Sequence, residues 1–149
     1  MIEQTLILLK PDAIERHLVG ALLQRYEKKG LQITAMKLMN VTPDMAERHY
    51  FEHRERPFFK DLIEYITRSP VVALVLRGEG AIGVTRALNG ATNPANAVPG
   101  SIRGDFALST RFNLVHASDS PQSSAREIQI FFTEKEILNY PLMLNAIIS

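Results

Sequence analysis

Two short apolar runs constrain the fold of this chain more than any other feature of its sequence. Residues 5–9 and 71–76 are apolar at nearly every position, and each run predicts a buried β-strand. The first run stops at Lys10-Pro11, because proline cannot donate to the hydrogen-bond ladder of a central strand. Residues 31–39, with rough alternation of apolar and polar side chains, and residues 114–116 predict two further strands.

Segments with helical periodicity separate these strands. Apolar side chains follow helical spacing over residues 19–26, and Gly30 marks the predicted helix end. Further helices are predicted to begin at Thr42-Pro43, Pro57, Ile82 and Ser120-Pro121. Because strands and helices alternate with no linker or repeat, residues 1–149 are predicted to form a single two-layer domain, a sheet covered by helices. Alternation alone leaves the strand order open.

The charge balance and the cysteine count exclude several classes of function. The 17 lysines and arginines nearly balance the 16 acids, which gives a net charge of +1, so we expect no dedicated nucleic-acid site. Disulfides, thiolate nucleophiles and cysteine metal sites are excluded because the chain has no cysteine. No apolar run approaches the ~20 residues that span a bilayer, and the N-terminus lacks a basic region. We therefore expect a soluble, cytoplasmic protein without a membrane partner.

Residues 90–112 interrupt the alternation of strands and helices. Glycines and prolines divide this segment, which has no clear periodicity, and loops of such length in compact domains are often functional. Arg86, Arg103 and Arg111 lie in or beside it, and planar guanidinium groups suit the binding of phosphates. A solvated loop is the simpler alternative. The chain has no Walker-type phosphate loop, so a nucleotide enzyme here would need a different kind of site.

Four histidines are candidates for chemistry: His17, His49, His53 and His116. His49 and His53 lie four residues apart, so on one helix both would point the same way. A metalloprotease-type site would need a third ligand and a glutamate directly after the first histidine, where this chain has Tyr50. A solvated or helix-packing role is therefore the favoured interpretation of this pair, and a surface role is favoured for His17.

His116 stands in a different setting, at the end of a predicted strand and just before a predicted helix. A rigid backbone would hold the ring, and the helix N-terminus would favour an incoming phosphate. Glu127 on that helix could orient one imidazole nitrogen, which would leave the other free to attack. From spacing alone, a purely structural histidine is the simpler interpretation.

The motifs around these residues identify a family. Residues 113–119 closely resemble the active-site signature of the nucleoside diphosphate kinases. The resemblance extends over nearly the whole chain, since residues 5–12, 49–50 followed by 56–59, 90–95 and 99–106 resemble four other motifs of that family in the same order. Five separated motifs are far more specific than any one of them.

The resemblance implies an α+β fold, a ferredoxin-like sandwich whose antiparallel four-stranded sheet is covered by helices, with a long inserted loop. It also implies ping-pong transfer of a γ-phosphate between nucleoside tri- and diphosphates. The implied catalytic residues are the nucleophile His116, Glu127 and Ser118 that hold its ring, Tyr50 beside it, and Lys10 and Asn113 at the ribose 3′-hydroxyl and the transferring phosphate.

The resemblance further implies how nucleotides are bound. The implied binding residues are Arg86, Thr92 and Arg103 at the phosphates and Phe58 and Thr110 on the two sides of the base, with Lys10 and Asn113 again in contact. Stacking alone would give little base selectivity, because every base has a π-face. Mg²⁺ would be carried on the nucleotide phosphates, and no protein metal site is expected.

Some positions depart from the family pattern. Ala117 stands where glycine is more usual, Thr110 where an apolar residue is expected, and Arg111-Phe112 where a glycine is expected. Pro99-Gly100 favours a hexameric over a tetrameric homo-oligomer, and residues 141–149 match nothing in the family. Two other classes stay open: a catalytically silent relative that binds nucleotide or single-stranded nucleic acid, and a metal-dependent hydrolase that uses His49 and His53.

Overall fold

The computed structural model describes residues 1–141, in which four strands and seven α-helices alternate. The strands are β1 (Ile2–Leu9), β2 (Gln32–Met39), β3 (Val71–Glu79) and β4 (Val115–Ala117). The helices are α1 (Pro11–Glu15), α2 (Val19–Lys29), α3 (Pro43–His49), α4 (Phe59–Thr67), α5 (Ala81–Asn89), α6 (Ile102–Phe106) and α7 (Pro121–Phe131). Single 3₁₀ turns lie at Phe51–His53, Pro94–Asn96 and Glu134–Glu136. Within this part of the chain, no helix combines the length and the apolar character needed to cross a membrane.

The four strands form one antiparallel sheet in the order β2-β3-β1-β4. β1 lies inside the sheet, with Leu8 opposite Ala73 of β3 on one side and opposite His116 of β4 on the other. This arrangement confirms the predicted ferredoxin-like sandwich. It also places the candidate nucleophile on a short edge strand that is tied to the interior strand β1.

Helices cover both faces of the sheet. Leu6 and Leu8 of β1 pack into an apolar cluster with α3, α4 and α7, while Ile7 and Leu9 pack into a second cluster with α1, α2, α5 and α6. Successive side chains of a strand point to opposite faces, so an unbroken apolar run requires cover on each side. The sequence predicted two layers, a sheet covered by helices on one face, and this was wrong: the structure has three layers, with helices on both faces of the sheet.

The predicted helix starts are largely confirmed, and two boundaries differ. The Thr42 side chain accepts a hydrogen bond from Met45 N, and Ser120 caps α7 in the same way through Ser123 N. α3 ends at His49, however, and the chain then tightens into a 3₁₀ turn. The expectation that His49 and His53 share one helical stripe was therefore wrong. α4 begins at Phe59 and not at Pro57.

The segment 90–112 is more ordered than its composition indicates. It contains a 3₁₀ turn and the five-residue helix α6, which is too short to produce a periodic signal. Ser101 caps α6 by accepting from Gly104 N at 3.1 Å. A Cβ at position 104 would lie 2.0 Å from the carbonyl oxygen of Val98, so only glycine fits there. Apart from Pro141, the apolar tail lies outside the described residues.

Candidate active site

A cavity of about 680 Å³ lies beside the end of β1 and along β4, enclosed by α3, α4, α5, α7 and the 90–112 segment. Ten of the eleven side chains predicted for the site line it: Lys10, Tyr50, Phe58, Arg86, Thr92, Arg103, Thr110, Asn113, His116 and Glu127. The eleventh, Ser118, is fully buried behind Glu127. The fold thus brings together residues that are up to 117 positions apart in the chain, Lys10 and Glu127.

His116 is fixed in one orientation by Glu127. Its Nε2 lies 2.7 Å from Oε1 of Glu127, which is buried on α7. A carboxylate can only accept, so neutral His116 carries its proton on Nε2 and keeps a lone pair on Nδ1. The side chain of His116 is 22% exposed, whereas that of Glu127 is 6% exposed. His116 therefore reaches the cavity while Glu127 stays out of solvent.

Other residues hold Glu127 in turn. Ser118 Oγ donates to the same Oε1 at 2.8 Å and accepts from Leu6 N of β1 at 3.2 Å. The second carboxylate oxygen of Glu127 lies 3.6 Å from a guanidinium nitrogen of Arg126. The position of the carboxylate is thus set by the sheet and by its own helix.

A strained turn precedes the candidate nucleophile, His116. Leu114 has a φ of 74°, which L-residues with large side chains rarely adopt, so β4 begins one residue later than predicted. Its N–H donates to Asp12 Oδ2 at 3.1 Å, and its carbonyl oxygen accepts from Lys10 N at 2.8 Å. The other oxygen of Asp12 accepts from Tyr65 OH. Asp12, which is 4% exposed, therefore supports this turn, although sequence reasoning gave it no role.

The alanine at position 117, where the family more often has glycine, fits the local backbone without strain. Ala117 lies within β4, paired with Ile7, and is not among the described residues with positive φ. A methyl group therefore fits beside the candidate nucleophile, and the left-handed conformation that needs explanation occurs at Leu114 instead.

Lys10 and Asn113 form a polar pair at one wall of the cavity. Lys10 Nζ donates to Asn113 Oδ1 at 2.9 Å, and Asn113 Nδ2 donates to the carbonyl oxygen of Thr92 at 3.3 Å. Burial, with the nearby charge of Arg103 as the second cause, lowers the pKa of Lys10 to about 8. A cation held in this way lacks a charged partner close enough to offset its burial, which suits it to an incoming anion.

Arg103 and Arg86 differ in how many of their N–H donors are already hydrogen-bonded to the protein. Arg103 donates through Nε to the carbonyl of Asn113, and through its two terminal nitrogens to the carbonyls of Gly90 and Val115. It therefore ties the 90–112 segment to β4 and keeps only part of its donor capacity for a ligand. Arg86 makes a single 3.3 Å bond, to the carbonyl oxygen of Ala117.

Aromatic and polar side chains form the cavity mouth. Phe58 is the N-cap residue of α4 and is 46% exposed, with its ring 5.6 Å from the ring of His53. Thr110 is exposed and lines the same cavity. An exposed ring at a pocket entrance can stack on a flat ligand.

His49 makes a contact that the sequence did not predict. It is 5% exposed, and its ring lies edge-on to the ring of His116 at 4.5 Å. Burial, followed by the charges of His116, Lys10, Arg126 and His53, lowers its pKa well below the usual value, so the ring is neutral. The predicted packing role is correct, but the packing partner is the candidate nucleophile. Only the tertiary fold brings the two histidines together.

Comparison with known proteins decides the family. A family model described as nucleoside diphosphate kinase matches residues 3–137. The chain belongs to the nucleoside diphosphate kinase family. It is 56% identical over 138 residues to the nucleoside diphosphate kinase of Archaeoglobus fulgidus, covering 93% of this chain and 91% of that one. This membership confirms the prediction of a phosphotransferase of the nucleoside-diphosphate kinase class.

Solved structures of the family agree with the fold. The nucleoside diphosphate kinase of Halobacterium salinarum in complex with CDP has a TM-score of 0.97 and 37% identity, over 100% of this chain and 99% of that one. The enzyme of Borrelia burgdorferi, a transition-state mimic with vanadate and ADP, has a TM-score of 0.92 and 36% identity, over 97% and 95% of the two chains. These structures confirm the prediction that the chain adopts the ferredoxin-like sandwich of this family.

Proposed function

We propose that this chain transfers the γ-phosphate of a nucleoside triphosphate to a nucleoside diphosphate through a phosphohistidine on His116. The observation that carries the proposal is the 2.7 Å contact between Nε2 of His116 and Glu127, which leaves Nδ1 as the nitrogen able to attack. A free lone pair beside a cavity with several cationic side chains suits an electrophilic phosphorus.

The transfer would proceed in two displacements. The Nδ1 lone pair forms a bond to the γ-phosphorus while the bond to the β,γ-bridging oxygen breaks, and the nucleoside diphosphate leaves. Nε2 keeps its proton, so the phosphorylated ring is cationic and Glu127 stabilises that charge. An oxygen of a second nucleoside diphosphate then attacks the phosphorus, the P–N bond breaks, and His116 returns to its neutral form.

The cationic wall of the cavity would bind the phosphates. Lys10, Arg86 and Arg103 would supply positive charge and Asn113 and Thr92 polar contacts, while Tyr50, which lines the same cavity, would border the ring of His116. Mg²⁺ would enter on the nucleotide phosphates as part of the substrate. Among the described residues, the only group of three ligating side chains, His49, His116 and Glu127, offers two nitrogens, whereas Mg²⁺ prefers oxygen. Mg²⁺ carried by the substrate therefore fits this set better than a resident Mg²⁺ would.

Base selectivity is proposed to be low. Phe58 and Thr110 lie at the cavity mouth, where a base would be stacked and largely solvated. Stacking tolerates any base and favours the larger purines modestly. ATP, GTP, CTP and UTP should therefore all serve as donors, and a donor limited to one base would refute this part of the proposal.

Labelling with ATP tests the proposed intermediate. With Mg²⁺ and no acceptor, γ-labelled ATP should label His116, the label should be acid-labile and base-stable, and a diphosphate should remove it. His116→Ala should abolish labelling, while His53→Ala, a change to an exposed histidine of the same cavity, should retain it. A label recovered on serine, or undiminished labelling of His116→Ala, would exclude the mechanism.

Three further proposals concern organisation. The chain is proposed to act as one domain over residues 1–149, which the family match over residues 3–137 supports.

It is proposed to form a homo-oligomer, a hexamer in preference to a tetramer. Val98 and Leu108, at 66% and 98% exposure, are apolar side chains of the 90–112 segment that an assembly would cover. Native mass spectrometry distinguishes six chains from four. The cytoplasmic location stays a prediction.

A further inference from the structure

His49 has buried polar atoms without hydrogen-bond partners. Neither its Nδ1 nor its Nε2 has a hydrogen-bond partner among residues 1–141, although the residue is 5% exposed. Buried polar groups in folded proteins almost always find a partner, so such a group calls for a specific explanation. Packing against His116 accounts for the position of the ring but leaves both nitrogens unsatisfied.

Two other ligating groups lie close to this ring. One potential ligand atom from each of His49, His116 and Glu127 can be chosen so that all three lie within 4.8 Å of one another. Zinc binds imidazole nitrogen and carboxylate oxygen at about 2.0–2.2 Å, which places tetrahedral ligands roughly 3.4 Å apart. The His116–Glu127 pair, 2.7 Å apart, would have to open by about 0.7 Å, and the other separations would have to close by about 1.4 Å at most, through small rotations of the three side chains.

The chemistry of this triad suits a borderline-soft ion. Two imidazoles and one carboxylate form the ligand set of many zinc sites that keep a fourth position open, here toward the cavity. The ion would replace the proton that His116 and Glu127 share, and Ser118 would continue to orient the carboxylate from behind. The positive charges of Lys10 and Arg126 oppose a dication, so binding should be weaker than at a closed structural zinc site.

We propose that the nucleotide-free protein binds one divalent transition-metal ion of the zinc class through His49, His116 and Glu127, and that the bound ion blocks phosphotransfer. Blocking follows because the ion occupies His116 and Glu127, the same two groups that the proposed reaction requires. The binding half of the inference stands on the geometry of the triad alone, whereas the inhibitory half rests on the proposed function.

Direct binding measurements test the site without any turnover. Tag-free, nucleotide-free protein is titrated with Zn²⁺ by calorimetry, and with Co²⁺ while the visible absorption of a four-coordinate ion is followed. Wild type should bind one ion per chain, and His49→Gln should weaken binding at least tenfold. His53→Gln and His17→Gln, which change exposed histidines outside the triad, should bind as wild type does. No binding, equal binding by His49→Gln, or loss of binding in either control overturns the site.

Two further measurements protect the test against an unstable variant. Glu127→Gln removes the only anionic ligand and should also weaken Zn²⁺ binding at least tenfold. In wild type, Zn²⁺ should shift the imidazole NMR signals of His49 and His116 together and leave those of His17 and His53 in place. Shifts confined to the exposed histidines would overturn the proposal.

A separate activity measurement tests the second half of the proposal, that the bound ion blocks phosphotransfer. Phosphate exchange is measured with Mg²⁺-nucleotide in excess and with free Zn²⁺ held in the micromolar range by a metal buffer. Zn²⁺ should inhibit most of the exchange by wild type. His49→Gln should need at least a tenfold higher Zn²⁺ concentration for the same fractional inhibition. Equal inhibition of both proteins would mean that zinc acts on the nucleotide, which overturns this half. Absence of any exchange in metal-free wild type would count against the proposed function and leave the binding result unaffected.

Discussion

Replacing Asp12 with alanine should destabilise the protein and slow its chemistry. In the structure Asp12 accepts from the buried N–H of Leu114 at 3.1 Å and from Tyr65 OH, and it thereby supports a residue at φ 74°. Leaving the buried N–H without an acceptor costs about 1–3 kcal/mol, and losing the hydrogen bond from Tyr65 OH costs about a further 1 kcal/mol. We expect Asp12→Ala to lower the free energy of unfolding by about 2–4 kcal/mol.

The same turn sets the position of His116, the proposed nucleophile. Leu114 lies between Asn113 and β4, so relaxation of its backbone would move both Asn113 and His116. A misplacement of about 1 Å near the reacting atoms can cost on the order of 100-fold in rate. Single-turnover phosphorylation of Asp12→Ala should therefore be slower by at least tenfold, beyond any loss of folded protein.

Urea unfolding at a fixed protein concentration measures the stability effect, since the stability of an oligomer depends on concentration. Asp12→Asn is the matched control: its oxygen can accept from Leu114 N while its amide donates to the oxygen of Tyr65. It should lose less than half as much stability as Asp12→Ala. An Asp12→Ala protein within about 0.5 kcal/mol of wild type, or an asparagine variant as unstable as the alanine variant, would refute this account of the turn.

Three other predictions follow from the site. Glu127→Gln should slow single-turnover phosphorylation roughly 10–100-fold with nucleotide affinity nearly unchanged, because a charge-assisted bond contributes about 1.5–3 kcal/mol; a wild-type rate with weakened binding would assign Glu127 to the substrate instead. Phe58→Ala should weaken nucleotide binding by about 1–3 kcal/mol in calorimetry, whereas Phe51→Ala, an equally exposed ring outside the cavity, should not. The pKa of Lys10 is lowered from 10.5 to about 8, so the folded chain holds this proton less tightly than the unfolded chain. Between pH 8 and about 10.5, the free energy of unfolding of wild type should therefore rise relative to that of Lys10→Met, by at most about 3 kcal/mol. Urea titrations at several pH values measure this difference. A difference that does not change with pH would contradict the burial of a charged Lys10.

Much of the fold could be predicted because the local signals agree with one another. The apolar runs of β1 and β3, the capped starts of α3 and α7 and the glycine after α2 all appear in the sequence as they do in the structure. The antiparallel four-stranded sheet came from family resemblance, since its pairing joins residues as distant as Leu8 and His116, which no local pattern specifies.

The parts that could not be predicted have physical reasons. Leucine gives no signal for the left-handed conformation that Leu114 adopts, because the conformation is imposed by its bonds to Asp12 and Lys10. α6 is too short for periodicity and depends on the close approach of Gly104 to Val98. The contact of His49 with His116 joins α3 to β4, so it exists only once both elements have packed on the sheet.

The nitrogen that carries the phosphate tests the central claim most directly. The structure pairs Nε2 of His116 with Glu127, so attack by the other nitrogen is the core of the account. Protein labelled with ATP and Mg²⁺, denatured in base to preserve the label, can be examined by phosphorus and nitrogen NMR, which distinguish the two phosphohistidine isomers. The account predicts phosphorus on Nδ1 of His116. Phosphorus on Nε2, or on any other side chain, would contradict it.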